Sequence, residues 1–166
     1  MTATLAPRST VRELTALGTS LAICFAVAGL GSYWTGAGLG PWYDGLRKPS
    51  WTPPSWVFGP VWTVLYACMA VAAWLVWRKR GLTAIGLPLS LFAVQLALNL
   101  AWSGIFFALR QPGPAFGEIL LLWAAILATL LAFGRVSRGA AGLLAPYLVW
   151  VTFAAALNFA IWRLNP

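Results

Sequence analysis

Residues 49–77 read PSWTPPSWVFGPVWTVLYACMAVAAWLVW, a run without a single charge. A helix needs roughly 20 apolar residues to cross a hydrocarbon core, and this run exceeds that. Lys48 and Arg78 bracket it, as charges at two membrane surfaces would. Thr52 followed by Pro53 and Pro54 reads as a helix start, with Thr52 as N-cap and proline in the first turn. Pro60 falls inside the predicted helix and is expected to kink it.

Working outward, four more uncharged intervals appear: Glu13 to Asp44, Arg80 to Arg110, Glu118 to Arg135 and Arg138 to Arg163. The predicted fold is all-α, a bundle of five transmembrane helices over about 14–34, 54–77, 84–109, 115–134 and 140–162. Residues 1–12 form a short polar tail and 13–166 one transmembrane domain. The fourth helix is the shortest, and it is expected to span by letting Glu118 snorkel to the interface. The apolar run from Leu14 to Leu30 exceeds a signal-peptide core. With Tyr33 and Trp34 at its far end as an aromatic belt, it reads as a retained helix. Pro146 is expected to kink the fifth helix.

Composition agrees. The chain is 61% hydrophobic and 8% charged, against roughly 25% charged in soluble domains. The net charge of +8 does not form the patch that nucleic acid requires. It is split into clusters at the ends of apolar runs. Seven cations, Arg8, Arg12, Arg78, Lys79, Arg80, Arg135 and Arg138, fall on the N-terminal side. Four, Arg47, Lys48, Arg110 and Arg163, fall on the other. The N-terminus is therefore expected in the cytoplasm, with the first loop and C-terminus opposite. Cys24 and Cys68 both lie in apolar runs, so no disulfide is expected. There is no histidine, which removes histidine triads, the HExxH zinc site and histidine haem ligation. No metal site is expected.

The interval Gly31 to Pro54, GSYWTGAGLGPWYDGLRKPSWTPP, is dense in glycine, proline and aromatics. It reads as a long structured loop, able to cap one end of the bundle. Asp44 beside Arg47 and Lys48 suggests a salt bridge within it.

Helical spacing then sorts the interior. Trp62, Tyr66, Met69 and Ala73 share one face of the second helix; Gln95, Asn99, Trp102 and Phe106 share one of the third; Tyr147, Trp150, Ala154 and Asn158 share one of the fifth. Mid-membrane amides are costly unless paired, so these faces should point inward. Two outcomes fit the spacing: a pocket for a flat apolar ligand offering a few hydrogen bonds, or polar glue in a tightly packed core. Trp34, Trp77 and Trp162, at run ends, read as interface anchors. On another face of the third helix, Ala93, Ala97 and Ala101 form a small-xxx-small ridge suited to close helix approach, within the chain or in a homodimer.

Enzyme machinery is sparse. The acids Glu13, Asp44 and Glu118 are unpaired in sequence, and neither a phosphate-binding glycine loop nor a nucleophile elbow occurs. Ionisable residues are read as absent from the helix interiors, which argues against a proton-coupled pump.

The stretch WYDGLRKPSWTPPSWVFGPVWTVLY, Trp42 to Tyr66, resembles the first loop and second helix of the translocator protein family, also called tryptophan-rich sensory or TspO/MBR proteins. QLALNLAWSGIFF, from Gln95 to Phe107, and PYLVWVTFAAALNFAIWRLN, from Pro146 to Asn165, resemble two further blocks of that family in the same order. The resemblance implies a five-helix bundle, often dimeric, whose first loop closes one end of a pocket. It implies porphyrin (tetrapyrrole) binding, with no required cofactor. Nothing in the sequence marks a mitochondrial presequence and the polar tail is short, so a bacterial cell membrane is the expected setting. By motif match, Tyr43, Trp62, Asn99, Trp150 and Ala154 fall at pocket positions, and Trp42, Asp44, Lys48, Pro49, Trp51 and Pro53 in the lid. Some bacterial members degrade porphyrin in light through two pocket tryptophans, here Trp62 and Trp150. The sterol motif of animal members is incomplete: Leu157 to Arg163 carries Phe159 where a tyrosine belongs, so cholesterol is not expected as the main ligand. Without histidine, a porphyrin would be held by stacking and shape.

Overall fold

A computed structural model describes residues 10–80 and 86–166, Arg80 by its backbone only. Arg8, the rest of 1–9, and the connection 81–85 lie outside the described residues. The described chain contains six α-helices and no strand: α1 (Thr10–Gly38), α2 (Pro41–Gly45), α3 (Phe58–Arg80), α4 (Leu87–Ser103), α5 (Pro112–Gly134) and α6 (Arg138–Leu164). A 3-10 turn, Ser55–Val57, leads into α3, and a π turn, Gly104–Ala108, extends α4. Five of the segments are long and apolar enough to cross a membrane: Thr10–Gly38, Ser55–Lys79, Leu87–Ala108, Pro112–Gly134 and Arg138–Leu164. The protein is an integral multi-pass membrane protein.

The long helices close a ring, α1 against α3, α3 against α6, α6 against α5, α5 against α4, and α4 back against α1. One continuous core of Leu65, Met69, Phe92, Ile126, Phe133, Tyr147 and their neighbours fills it. Proline opens α4 and α5 near their first positions, where its missing N–H costs nothing. Ser137 caps α6 by accepting from the Ala140 N–H at 3.4 Å. At the N-terminal end, Ser20 donates to the Ala70 carbonyl at 2.7 Å, Trp74 to that of Glu13 at 3.2 Å, and Arg78 pairs with Glu13 at 3.2 Å. These contacts hold α1, the most lipid-exposed helix, on α3.

Several expectations are corrected. The first helix does not end at residue 34. It runs to Gly38, because Gly38 lies so close to the π turn that a Cβ there would sit 2.5 Å from the Phe107 carbonyl oxygen. The chain turns at Gly40, whose φ of 107° suits glycine, and α2 folds part of the predicted loop into helix. Thr52 is not a helix N-cap: its hydroxyl donates to the Pro49 carbonyl at 2.8 Å within a turn. Pro60 lies in the first turn of α3, where no helical hydrogen bond is lost, so no kink follows from it. Pro146 is inside α6 and does leave the Gly142 carbonyl without its helical donor.

Candidate functional site

The three inward faces meet through their polar atoms. Tyr66 on α3 donates its hydroxyl to Asn99 Oδ1 on α4 at 2.6 Å, and Asn99 Nδ2 donates to the Tyr147 hydroxyl on α6 at 2.8 Å. Gln95, one turn from Asn99, donates to Met69 Sδ at 3.8 Å. Nearer the loop end, Trp102 Nε1 donates to Asn158 Oδ1 at 3.0 Å, and Asn158 Nδ2 to the Pro112 carbonyl at 2.7 Å. All three amides, Gln95, Asn99 and Asn158, are buried. A buried amide in hydrocarbon must find such partners, so this ladder sets the rotation of α4 against α3 and α6.

Aromatic rings cover the ladder. Trp62 packs on Tyr66 and Tyr147, with ring centres 5.8 and 6.1 Å away. Trp102 stacks on Phe106 at 5.2 Å, and Phe106 meets Trp42 of α2 at 6.0 Å. Tyr43 packs on Phe107 at 5.9 Å. On the other side Trp150 lies against Phe58 and Phe153, and Phe153 against Trp51 of the loop. The loop is tied down by Asn165, which accepts from the Arg47 N–H at 3.0 Å and donates to the Arg47 carbonyl at 2.9 Å. The first loop and the C-terminal end of α6 therefore share one end of the bundle.

Lys48 does not pair with the Asp44 carboxylate. Its ammonium lies 4.4 Å from the centre of the Tyr43 ring and reaches the backbone carbonyls of Asp44 and Leu46, each at 3.4 Å. Burial, and after it the Asp44 charge, push the Tyr43 phenol above its ordinary pKa of 10.0, so it stays a neutral donor. Pro49 and Pro53 are half-buried, and Trp51 is exposed on its outer side.

The expected ligand residues fall into two groups. Tyr66, Gln95, Asn99, Phe106, Tyr147 and Asn158 are buried, and Trp62, Trp102 and Ala154 are half-buried against the same cores. Their own side chains fill the space between them. Trp150 stands apart: it makes no ring contact with Trp62 and forms part of the wall of a groove of ≈ 780 Å³ between α3 and α6. Pro60, Val64, Pro146, Val149 and Phe153 line the same groove. It opens sideways, toward lipid, and its walls are almost wholly apolar. On the ridge, Ala93 and Ala97 are exposed and Ala101 half-buried. Among the described residues no cluster of metal-ligating side chains occurs.

Glu118 overturns two expectations. It does not snorkel, and the helix interiors are not free of ionisable groups. α5 starts at Pro112, so Glu118 lies in its second turn, 8% exposed, with neither carboxylate oxygen meeting a donor among the described residues. Ala115, Leu122, Ile126, Thr129 and Phe133 are buried on the same helix, and their steps of three and four carried that signal. The role of Trp162 also changes. It stacks on Phe116, and a Cβ at Gly113 would meet its indole at 2.8 Å, so it packs on α5 besides facing lipid. Phe58, Phe107 and Phe153 join the site without having been singled out in the sequence, and Arg110, read there only as a charge at a helix end, lies over Trp42.

Comparison with known proteins agrees with this architecture. The tryptophan-rich protein TspO of Chlorobaculum tepidum is 43% identical over 159 residues, covering 93% of this chain and 99% of that one. The translocator protein of Homo sapiens is 49% identical over 126 residues, 75% of each chain. The tryptophan-rich sensory protein of Cereibacter sphaeroides is 42% identical over 149 residues, 89% of each. A profile of the TspO/MBR family matches residues 20–163, nearly the whole membrane domain, and the chain belongs to that family.

Proposed function

We propose that the protein is a membrane receptor or carrier for porphyrins and related flat hydrophobic ligands, acting in a regulatory or stress-sensing role. Family membership supports a receptor-type role at a membrane. One observation carries the ligand class: the apolar groove of ≈ 780 Å³ has the Trp150 indole in its wall, beside the aromatic and amide ladder of α3, α4 and α6. That volume falls within the roughly 300–1,000 Å³ of small-molecule sites. An apolar entrance leading to aromatic faces and a few fixed hydrogen-bonding groups suits a flat ligand that partitions into the bilayer first. Side chains fill the interior, so deeper binding requires Trp62 and its neighbours to part from α6.

Quenching of tryptophan fluorescence by protoporphyrin IX tests this in wild type, Trp62→Phe and Trp150→Phe. Each substitution is expected to weaken binding about ten-fold, in keeping with the roughly 0.5–1.5 kcal/mol of an aromatic contact plus lost area. Equal affinity in all three proteins would remove both tryptophans from the site.

A further inference from the structure

Two cations on the loop end are placed in an unusual way. Lys48 lies against the face of Tyr43 and Arg110 over that of Trp42, 4.4 and 5.9 Å from the ring centres. Trp42 and Tyr43 are themselves neighbours, with centres 6.5 Å apart. The two charges therefore flank one aromatic pair at the rim of the cap. Among the described residues, neither forms an ion pair. The side chains at this end include four cations, Arg47, Lys48, Arg110 and Arg163, and one acid outside the bundle, Asp44.

Arg110 adds a second, independent observation. Its φ is 57°, the only positive value among the described non-glycine residues. This left-handed position closes the π turn, with the Gln111 N–H donating to the Ile105 carbonyl at 3.1 Å. Glycine would meet the backbone requirement with less strain. An arginine there costs more than a glycine would, and the closing hydrogen bond of the turn holds it in that conformation. What the arginine supplies is a guanidinium over Trp42, the ring neighbour of the Tyr43 that carries Lys48. Lys48 is half-buried, and its two carbonyl contacts leave one of the three ammonium donors unused.

We propose that Lys48 and Arg110 form a two-point cationic rim that binds the carboxylates of a flat aromatic acid whose apolar body lies against the cap aromatics and the bundle. The proposal deepens the ligand reading and rests on it. A carboxylate at the cap meets a guanidinium and an ammonium with free donors and no competing ion pair, and charge-assisted hydrogen bonds are the stronger kind. Stacking holds both cations at the rim in advance. An uncharged ligand of the same shape gains none of this, so the rim selects acids over neutral molecules of the same shape.

The test compares protoporphyrin IX, a dicarboxylic acid, with its dimethyl ester, which has the same ring and no charge. Binding is measured by tryptophan quenching in phosphatidylcholine nanodiscs, using wild type, Lys48→Gln, Arg110→Gln and the double variant. Wild type should prefer the diacid by at least ten-fold. Each single variant should lower diacid affinity several-fold, and the double variant should bind diacid and ester equally. Ester affinity should stay constant across all four, which also shows that the variants are folded. Equal binding of diacid and ester by wild type overturns the rim and leaves the ligand reading standing. So does a parallel loss of both ligands in the variants. Binding of neither compound removes the ligand reading, and the rim with it. A wild type that treats both porphyrins alike, yet is stabilised by phosphatidylglycerol through Lys48 and Arg110, assigns the cations to lipid headgroups instead.

Discussion

Replacing Asn99 by leucine removes the centre of the ladder that joins α3, α4 and α6. Two hydrogen bonds go, the 2.6 Å bond from Tyr66 and the 2.8 Å bond to Tyr147. Each bond contributes about 0.6 kcal/mol between membrane helices. What remains costs more: two buried phenol groups without partners, at about 1–3 kcal/mol each. Offset by the greater apolarity of leucine, the net loss should be about 2–4 kcal/mol. At roughly 2–4 °C per kcal/mol for a chain of this size, melting in detergent falls by about 4–16 °C. The triple variant Tyr66→Phe/Asn99→Leu/Tyr147→Phe has lost every side-chain polar atom of the Tyr66–Asn99–Tyr147 link. It strands nothing, so it should recover to within about 1 kcal/mol of wild type, because removing both partners is far cheaper than removing one. A triple variant as unstable as the sum of its single changes would refute the reasoning. The ladder would then act through shape, not through partner satisfaction.

Two further outcomes follow from buried groups and close approaches. Glu118→Met replaces an unpartnered buried carboxyl by an apolar chain of similar shape and should raise stability by about 1–3 kcal/mol, the cost of an unsatisfied buried polar group; a fall in melting temperature would show that the carboxyl is held by a donor. Gly38→Ala forces a Cβ to within 2.5 Å of the Phe107 carbonyl oxygen and should cost about 1–3 kcal/mol, whereas Gly36→Ala, with no atom within 4 Å, should gain up to about 1 kcal/mol of helix propensity; melting curves with the same sign for both would refute the proposed contact between α1 and the π turn.

How much of this was legible follows from what each residue type tolerates. Gln95, Asn99 and Asn158 are buried and hydrogen-bonded, and their spacing pointed inward because an amide facing lipid is expensive. Tryptophan is less informative. Its ring is tolerated in a core, at an interface and against lipid, and the tryptophans scatter accordingly: Trp102 in the core, Trp150 on the groove wall, Trp56 exposed. The helical state of residues 31–38 was hidden by their glycines, whose low propensity is overridden by contacts with the π turn. That turn has no sequence marker, yet it brings both Phe106 and Phe107 under the cap.

Glu118 shows the same logic from the other side. A hydropathy boundary places an acid at the water surface, but a helix face places it by rotation. The steps from Ala115 through Glu118 and Leu122 to Phe133 put it among buried neighbours, and rotation prevails because moving Glu118 out would turn Ile126 and Phe133 away from the core. The cap is different. Lys48 and Arg110 are positioned by a turn, a left-handed residue and two ring faces, none of which has a period. A bundle interior repeats every few residues and can be read from one chain; a rim assembled where a loop and a π turn meet has to be seen folded.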